Sequence, residues 1–412
     1  MLRLVIVDST IISESDAKNL DTLEKVLTRL RSKGVKIALV STNKMGMYKA
    51  SRASFQFSFD YSLSGEEVYG KPQNSFKGGG DRITEICGEM GIPPHETLYI
   101  GDDQHDYASS LHSGCFFVAA AWKGLSGVFT AERAQRPEDV WSFASHYLLH
   151  PPRWNFSLDD PNRKFRLRTL ASANTLASEV RFSGNPPYRL FNLKQLFKDK
   201  LPIKCGNRSA VLIMFWHTLA SIVLENLSPQ YSIFTVYPGS KPDRTNGVIQ
   251  QVADIASKVL GSKFIGDLIV RAIPAPSSHE LKTSGKDSFL TQTNSVILNK
   301  HYRSKIKGKT IVVFDDFHTS GKSLEWARNL FLAAGAKEVV MIAMGRFGGR
   351  SKPHTAYEPV SVSTVTPFDL KEYSESDFLS TDLHLSPSDE GRVVLQKSFE
   401  KNLVNKPFEE ID

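Results

Sequence analysis

The chain has 412 residues, 41% of them hydrophobic, which is too long for one ordinary domain and apolar enough to bury real cores. Its formal net charge of +7 is modest, and no basic run is dense enough to favour a nucleic-acid partner over phosphorylated small molecules. Cys87, Cys115 and Cys205 are odd in number and far apart, which argues against a disulfide framework or a zinc knuckle and fits a reducing, cytoplasmic setting. Met1 leads straight into an apolar strand, so no signal peptide is expected. The most apolar stretch, Ala210 to Leu224, contains His217, Thr218 and Ser221 and reads as a buried helix, so no membrane association is expected.

In chain order, Leu2 to Val7 is a continuous apolar run ending in Asp8-Ser9-Thr10, and Ser15 to Leu30 reads as a helix closed by Gly34. Val35 to Val40 is the next strand and ends in Ser41-Thr42. Asp81 to Met90 reads as a helix, and the strand Thr97 to Ile100 runs into Gly101-Asp102-Asp103-Gln104-His105-Asp106. Strands alternating with helices at this spacing predict a parallel sheet covered on both faces, with the polar residues at its strand ends meeting along one edge. Asp8, Ser41, Lys71 and Asp102 lie about one βα unit apart. A carboxylate nucleophile, a hydroxyl, a cation and a further acid form a coherent set for phosphoryl transfer through an aspartyl-phosphate, with Mg²⁺ relieving the charge repulsion.

These motifs resemble the haloacid dehalogenase (HAD) superfamily over nearly all of residues 1–125. The resemblance implies that Asp8 is the nucleophile, that Ser41 binds phosphate with Thr42 as alternative, that Lys71 is the third-motif lysine, and that Asp102 and Asp106 are the fourth-motif acids. It further implies an Mg²⁺ held by Asp8, Thr10 and Asp102. Thr10 is a departure, because HAD phosphatases usually carry there an Asp that protonates the leaving group, a task a threonine cannot perform near neutral pH. The intervals between motifs are too short for a cap domain, so the first domain, residues 1–145, is expected to be capless.

Residues 146–205 read as a connector broken by prolines. Arg163, Lys164, Arg166 and Arg168 form a basic cluster there, which fits a basic strand or helix face better than a nucleic-acid contact. The second domain is placed at residues 206–349. Tyr231 to Val236 is a strand ending in a turn with Ser240, Lys241 and Arg244, where a pyrophosphate could be gripped, and the helix Val248 to Leu260 follows. Ile311 to Phe314 is a buried strand whose carboxyl end carries Asp315 and Asp316, with the loop Thr319-Ser320-Gly321-Lys322-Ser323 leading into a helix from Leu324 to Ala334. Such a loop suits a phosphate, whereas paired acids suit the vicinal hydroxyls of a ribose or a bridging Mg²⁺.

This second set resembles the motif that binds phosphoribosyl pyrophosphate (PRPP) in type I phosphoribosyltransferases. Among them the turn Pro238-Gly239-Ser240-Lys241, the helix start at Gln250-Gln251 and Arg271 look most like ComF-type proteins, although the zinc-ribbon cysteines of that group are absent. The resemblance implies a mobile flap at Ser277–Gln292, a hood at Pro187–Pro202, and displacement at the anomeric carbon of PRPP or of another ribose 5-phosphate metabolite.

In the tail, residues 350–412, Val360 to Val365 is expected to add an edge strand, and the acid-rich segment from Lys371 is expected to be only partly ordered. The sequence thus predicts an α/β protein of two doubly wound parallel-sheet domains, a capless HAD-like unit followed by a type I phosphoribosyltransferase fold. It is expected to be a cytoplasmic, Mg²⁺-dependent, bifunctional enzyme of nucleotide-like metabolism, and a homodimer. The alternative is a PRPP- or nucleotide-sensing regulator in which neither domain turns over.

Overall fold

The computed structural model describes residues 1–41, 55–63, 78–127, 130–152, 154–173, 176–179, 189–192, 204–205, 208–228, 232–242, 247–276, 288–348, 352–361, 363–388, 393, 395 and 397–398. Strand β1 (Leu4–Asp8) is buried along its whole length, as a central strand of a covered parallel sheet must be. Helix α1 (Ser9–Glu14) starts at once, because the Asp8 carboxylate accepts the Thr10 amide and caps it. This short helix was not foreseen, and α2 (Ala17–Ser32) accordingly starts after an Asp16 cap. Then follow β2 (Lys36–Val40), β3 (Tyr61–Leu63), α3 (Asp81–Met90), β4 (Thr97–Gly101) and α4 (Gln104–Ser113). Strands β5 (Phe116–Ala120) and β6 (Glu132–Ala134) and helix α5 (Pro137–Phe143) complete the unit. All pairings are parallel, in the order β3-β2-β1-β4-β5-β6. The chain builds outward from β1 through β2 and then returns to β4, so the switch point lies between the ends of β1 and β4, where ligands bind in open α/β sheets.

Strands β7 (Phe156–Asp160) and β8 (Phe165–Ser172) correct the reading of this stretch as a connector, since both belong to the second sheet. Its arginines disguised β8 as a basic surface. In the fold they are paired, Arg166 with Glu338 at 2.7 Å and Arg168 with Glu225 at 2.8 Å. Two short antiparallel ribbons follow, β9 (Leu176–Glu179) with β10 (Arg189–Asn192) and β11 (Lys204–Cys205) with β12 (Arg208–Ser209). Next come α6 (Ala210–Leu224), β13 (Ile233–Val236), α7 (Gly247–Val259), β14 (Lys263–Phe264), β15 (Ile269–Arg271), α8 (Ser288–Thr293) and β16 (Val296–Leu298). Strand β17 (Thr310–His318), helix α9 (Lys322–Ala333) and strand β18 (Glu338–Arg346) close the domain. The sheet order is β14-β13-β17-β18-β8-β7, parallel from β14 to β8 and antiparallel at β7. Its switch point lies between β13 and β17, the strands that precede Ser240 and carry Asp315.

The tail, over the described residues 352–361 and 363–388, is built in more firmly than its composition suggested. Strand β19 (His354–Pro359) pairs antiparallel with β20 (Phe378–Leu383), and β21 (Ser386–Pro387) adds to β7. The strand expected at Val360–Val365 is absent among the described residues, and Val360 is 57% exposed. Tyr373, Phe378 and Leu385 are buried in the core of the second sheet, which orders the acid-rich segment despite its charge. The largest core is common to both halves. Leu27, Phe143 and Leu148 from the first share it with Trp216, Phe234 and Val252 from the second. Phe143 and Trp216 meet edge to face at 5.0 Å.

Candidate active site

The end of β1 delivers Asp8 into a buried acidic cluster. Asp8, Asp102 and Asp106 are 2%, 6% and 0% exposed, and each places a carboxylate oxygen within 4.8 Å of the others. Asp106 reaches this point because residue 101 is glycine, where any Cβ would stand 2.5 Å from the Asp106 side chain. Asp106 Oδ2 accepts the Asp102 amide at 3.1 Å and Oδ1 accepts the Tyr99 hydroxyl at 2.6 Å, so it fixes the Asp102 turn. Ser41 is also buried at this edge and accepts a hydrogen bond from the Ser9 hydroxyl at 2.9 Å. Lys71 and Thr42 lie outside the described residues.

Thr10 joins the two principal acids. Its hydroxyl is 2.8 Å from Asp8 Oδ1 and 2.7 Å from Asp102 Oδ1. A hydroxyl carries one proton and can donate to one of these oxygens at a time, so the site concentrates more negative charge than its donors satisfy. Hard carboxylate oxygens in this arrangement fit Mg²⁺, with Asp8 and Asp102 as the holding groups and Thr10 adjoining them. Asp106, committed to the Tyr99 hydroxyl and the amides of Asp102 and Asp103, serves to orient.

Three groups here escaped the reading of motifs. Lys123, 8% exposed in its side chain, contacts Asp102 Oδ2 at 2.6 Å and Glu14 Oε2 at 3.0 Å. Burial alone would lower its pKa, but the bonds to Asp102 and Glu14 more than reverse that, and it is raised. Tyr99, held well above its usual pKa first by burial and then by the charges of Asp8 and Asp106, stays a donor to Asp106 and lies 3.2 Å from Asp8 Oδ2. Arg82 on α3 is shifted downward by burial yet feels the opposing pull of Asp8. A lysine three residues after a strand and a tyrosine within one have no distinctive spacing, so only the fold reveals them.

Residues 7–120 match the family model of the haloacid dehalogenase-like hydrolases. The N-terminal domain is HAD-like. Solved structures similar to it include a HAD-superfamily hydrolase of subfamily IA from Geobacter sulfurreducens PCA, at 14% identity and TM-score 0.23, covering 34% of this chain and 95% of that one. A predicted phosphoglycolate phosphatase from Haemophilus somnus 129pt is 13% identical with TM-score 0.27, covering 35% of this chain and 98% of that one. An uncharacterized protein from Listeria monocytogenes serotype 4b is 16% identical with TM-score 0.27, covering 34% and 96%. No curated protein matches the sequence. Among the described residues no helix is long and apolar enough to cross a membrane.

Beyond the HAD-like domain, a second cluster gathers at the β13–β17 switch point. The Tyr237 amide donates to Phe314 O at 2.8 Å, which ties the turn after β13 to the acidic strand. Arg271, 6% exposed, donates to Gly239 O in that turn, to Ser295 Oγ at 2.6 Å and to Gln292 Oε1 at 2.7 Å. Tyr237 donates to the same Gln292 oxygen at 2.8 Å. Asp315 is held well above the usual carboxylate pKa by burial and by the neighbouring Asp316 charge, with Arg271 opposing.

One expectation for this region is corrected. Asp315 and Asp316 do not end their strand, because β18 continues the ladder past them through Phe317 with Gly345 and His318 with Arg346. The Asp315 carboxylate accepts the Asp316 amide at 2.9 Å and the Asp316 carboxylate accepts the Phe317 amide at 2.6 Å. The loop is therefore only Thr319–Gly321, and α9 begins at Lys322 followed by Ser323. Gly321 needs its identity: its φ is +82°, and a Cβ would stand 2.3 Å from the His354 ring. The Lys322 ammonium lies 5.9 Å from the centre of the Tyr357 ring. Ser240 O accepts the Ala275 amide at 2.9 Å and Lys241 is exposed beside it. Arg244, the hood segment 193–202 and the flap residues 277–287 lie outside the described residues.

Proposed function

We propose that the N-terminal domain is a phosphohydrolase or phosphotransferase acting through Asp8. The observation that carries this is the Asp8–Thr10–Asp102 bridge at the sheet's switch point. The Thr10 amide and hydroxyl on Asp8 Oδ1 and the Tyr99 hydroxyl near Oδ2 fix the orientation of the carboxylate that would attack the phosphorus. A P–O bond to Asp8 forms as the bond to the leaving group breaks, and water then releases phosphate from the acyl-phosphate. Mg²⁺, when bound, supplies neutralisation of phosphate and carboxylate charge. Thr10 does not protonate a leaving group at neutral pH, so the domain favours substrates whose leaving group departs readily as an anion, acyl or activated phosphates above simple alkyl esters. The test is turnover of a phosphoester and acyl-phosphate panel by the full chain with Mg²⁺. Asp8→Asn should abolish it, and unchanged turnover would refute the assignment.

A second reading is favoured by Arg271, which donates to Gly239 O in the turn after β13 and interacts electrostatically with both Tyr237 and Asp315. In it the C-terminal domain is a type I phosphoribosyltransferase that binds PRPP, with Ser240, Lys241 and Arg244 toward pyrophosphate, Thr319–Ser323 toward the 5'-phosphate and Asp315 and Asp316 toward the ribose hydroxyls. Charge balance and positioning would do most of the work as the anomeric carbon parts from pyrophosphate. Incubation with PRPP, Mg²⁺ and a panel of nucleobases should release pyrophosphate. Loss of that release in Asp316→Asn supports the reading, whereas full release in the variant refutes it.

A further inference from the structure

The acidic cluster of the first domain carries its own internal cation, and the cation has two places to rest. Lys123 ends the single helical turn after β5. Its ammonium touches Asp102 Oδ2 at 2.6 Å on one side and Glu14 Oε2 at 3.0 Å on the other. Asp102 is 9% exposed in its side chain and Glu14 is 61% exposed, so the two partners stand at the buried and the open end of the same short path. The oxygen that Lys123 occupies belongs to the carboxylate whose other oxygen meets Thr10 at 2.7 Å. Between them, Lys123 and Thr10 therefore engage both oxygens of the acid best placed to hold a divalent ion.

We infer that Lys123 competes with the divalent cation for Asp102 and is handed to Glu14 when the ion binds, so that this lysine sets the affinity of the site. The inference rests on the reading of Asp8 and Asp102 as metal-holding groups. A buried ammonium within hydrogen-bond distance of one ligand opposes a second cation there by direct repulsion, and a carboxylate that can accept the ammonium at the rim limits that opposition. The exposed position of Glu14 makes the transfer inexpensive, because the lysine moves toward solvent and keeps a counter-charge. The acids of the site outnumber this one lysine, so the free site can still take a dication, and an arriving phosphate adds negative charge that should tighten the ion further.

The test is Mg²⁺ binding to the full chain by isothermal titration calorimetry, in the absence of any phosphoester. Lys123→Gln should tighten Mg²⁺ binding by about tenfold or more, the scale of removing one neighbouring like charge. Glu14→Gln, which takes away the second resting place, should weaken it several-fold, and because Glu14 is largely exposed this variant is expected to fold normally. Opposite shifts in the two variants support the handover. Unchanged or weaker Mg²⁺ binding in Lys123→Gln overturns it, and if that variant does not fold, unchanged binding in Glu14→Gln overturns it on its own. Asp102→Asn separates the two layers: if wild-type binding survives that change, the metal-site reading fails, whereas if binding is lost there and Lys123→Gln has no effect, the handover alone fails.

Discussion

The Tyr99 hydroxyl donates to Asp106 Oδ1 at 2.6 Å, and Asp106 in turn holds the backbone amide of Asp102. A tyrosine in the middle of β4 thus fixes the turn that presents a candidate metal-holding acid.

Tyr99→Phe tests that chain of support. Asp106 is fully buried and would lose its side-chain donor, which costs about 1–3 kcal/mol for a buried acceptor, more for a charged one. Urea denaturation should show a loss in that range, and Mg²⁺ affinity should fall with it. Unaltered stability would mean that water replaces the phenol.

Thr10→Asp introduces an acid two residues after Asp8. General acid catalysis is worth roughly a hundred- to ten-thousand-fold, so turnover of an alkyl phosphate at saturating Mg²⁺ should rise toward the lower end of that range. The new carboxylate would stand beside Asp8 and Asp102, so the gain should demand more Mg²⁺ than the parent needs. No gain at any Mg²⁺ concentration would show that the leaving group lies elsewhere.

Asp315→Asn separates function from stability. The carboxyl is held above its ordinary pKa by burial and by Asp316. A raised acid costs the fold stability at pH values above its unfolded pKa. Replacing it with the neutral amide should therefore stabilise the protein at pH 7, by about 0.5–2 kcal/mol as relief of functional strain commonly does, and under the proposed PRPP reading it should abolish PRPP binding. Thermal unfolding and a PRPP titration read the two effects separately.

Glu325 provides the pH dependence. Burial would raise its pKa, but Arg328 and His354 pull it from 4.5 down to about 2. A depressed acid stabilises the fold fully above its unfolded pKa, and that contribution fades as pH falls from 4.5 and is gone below about 2. At about 1.4 kcal/mol per unit the contribution is about 3 kcal/mol. Acid titration of unfolding should show this loss in the wild type, and Glu325→Gln should be less stable at pH 7 with a flatter profile over the same window. A parallel profile in the variant would assign the acid sensitivity to other carboxylates.

Gly321→Ala should be costly. The backbone there is left-handed, and the added methyl would meet the buried His354 ring. Strain of this kind costs of order 1–3 kcal/mol before any clash, so chemical denaturation should show at least that much, and under the proposed PRPP reading PRPP binding should weaken with it. A neutral result would require the loop and the ring to move apart freely.

Much of this was readable in advance, for definite reasons. Asp8, Ser41 and Asp102 stand at the ends of buried strands, and that placement brings them to one sheet edge whatever the intervening loops do, while Asp106 follows from the first turn of α4. Helix α3 was placed at Asp81–Met90, where the fold has it, because glycines bound it on both sides. Strand β8 was missed because Arg166 and Arg168 look like surface charges until Glu338 and Glu225 arrive from far along the chain. Lys123 and Arg271 were undervalued for a related reason, since a single cation acquires meaning only from partners that folding brings to it. The tail misled through composition: its acids are conspicuous, while the few aromatics that anchor it are not.

Because β8 lies between β18 and β7, and because Phe143 and Trp216 share one apolar interior, the two halves are not detachable modules. A fragment starting at residue 206 would lack a strand from the body of its sheet, and one ending at 150 would bare aromatic surface to water. A lesion in the common interior should therefore loosen both sheets at once, and neither half should regain its structure when supplied on a separate chain.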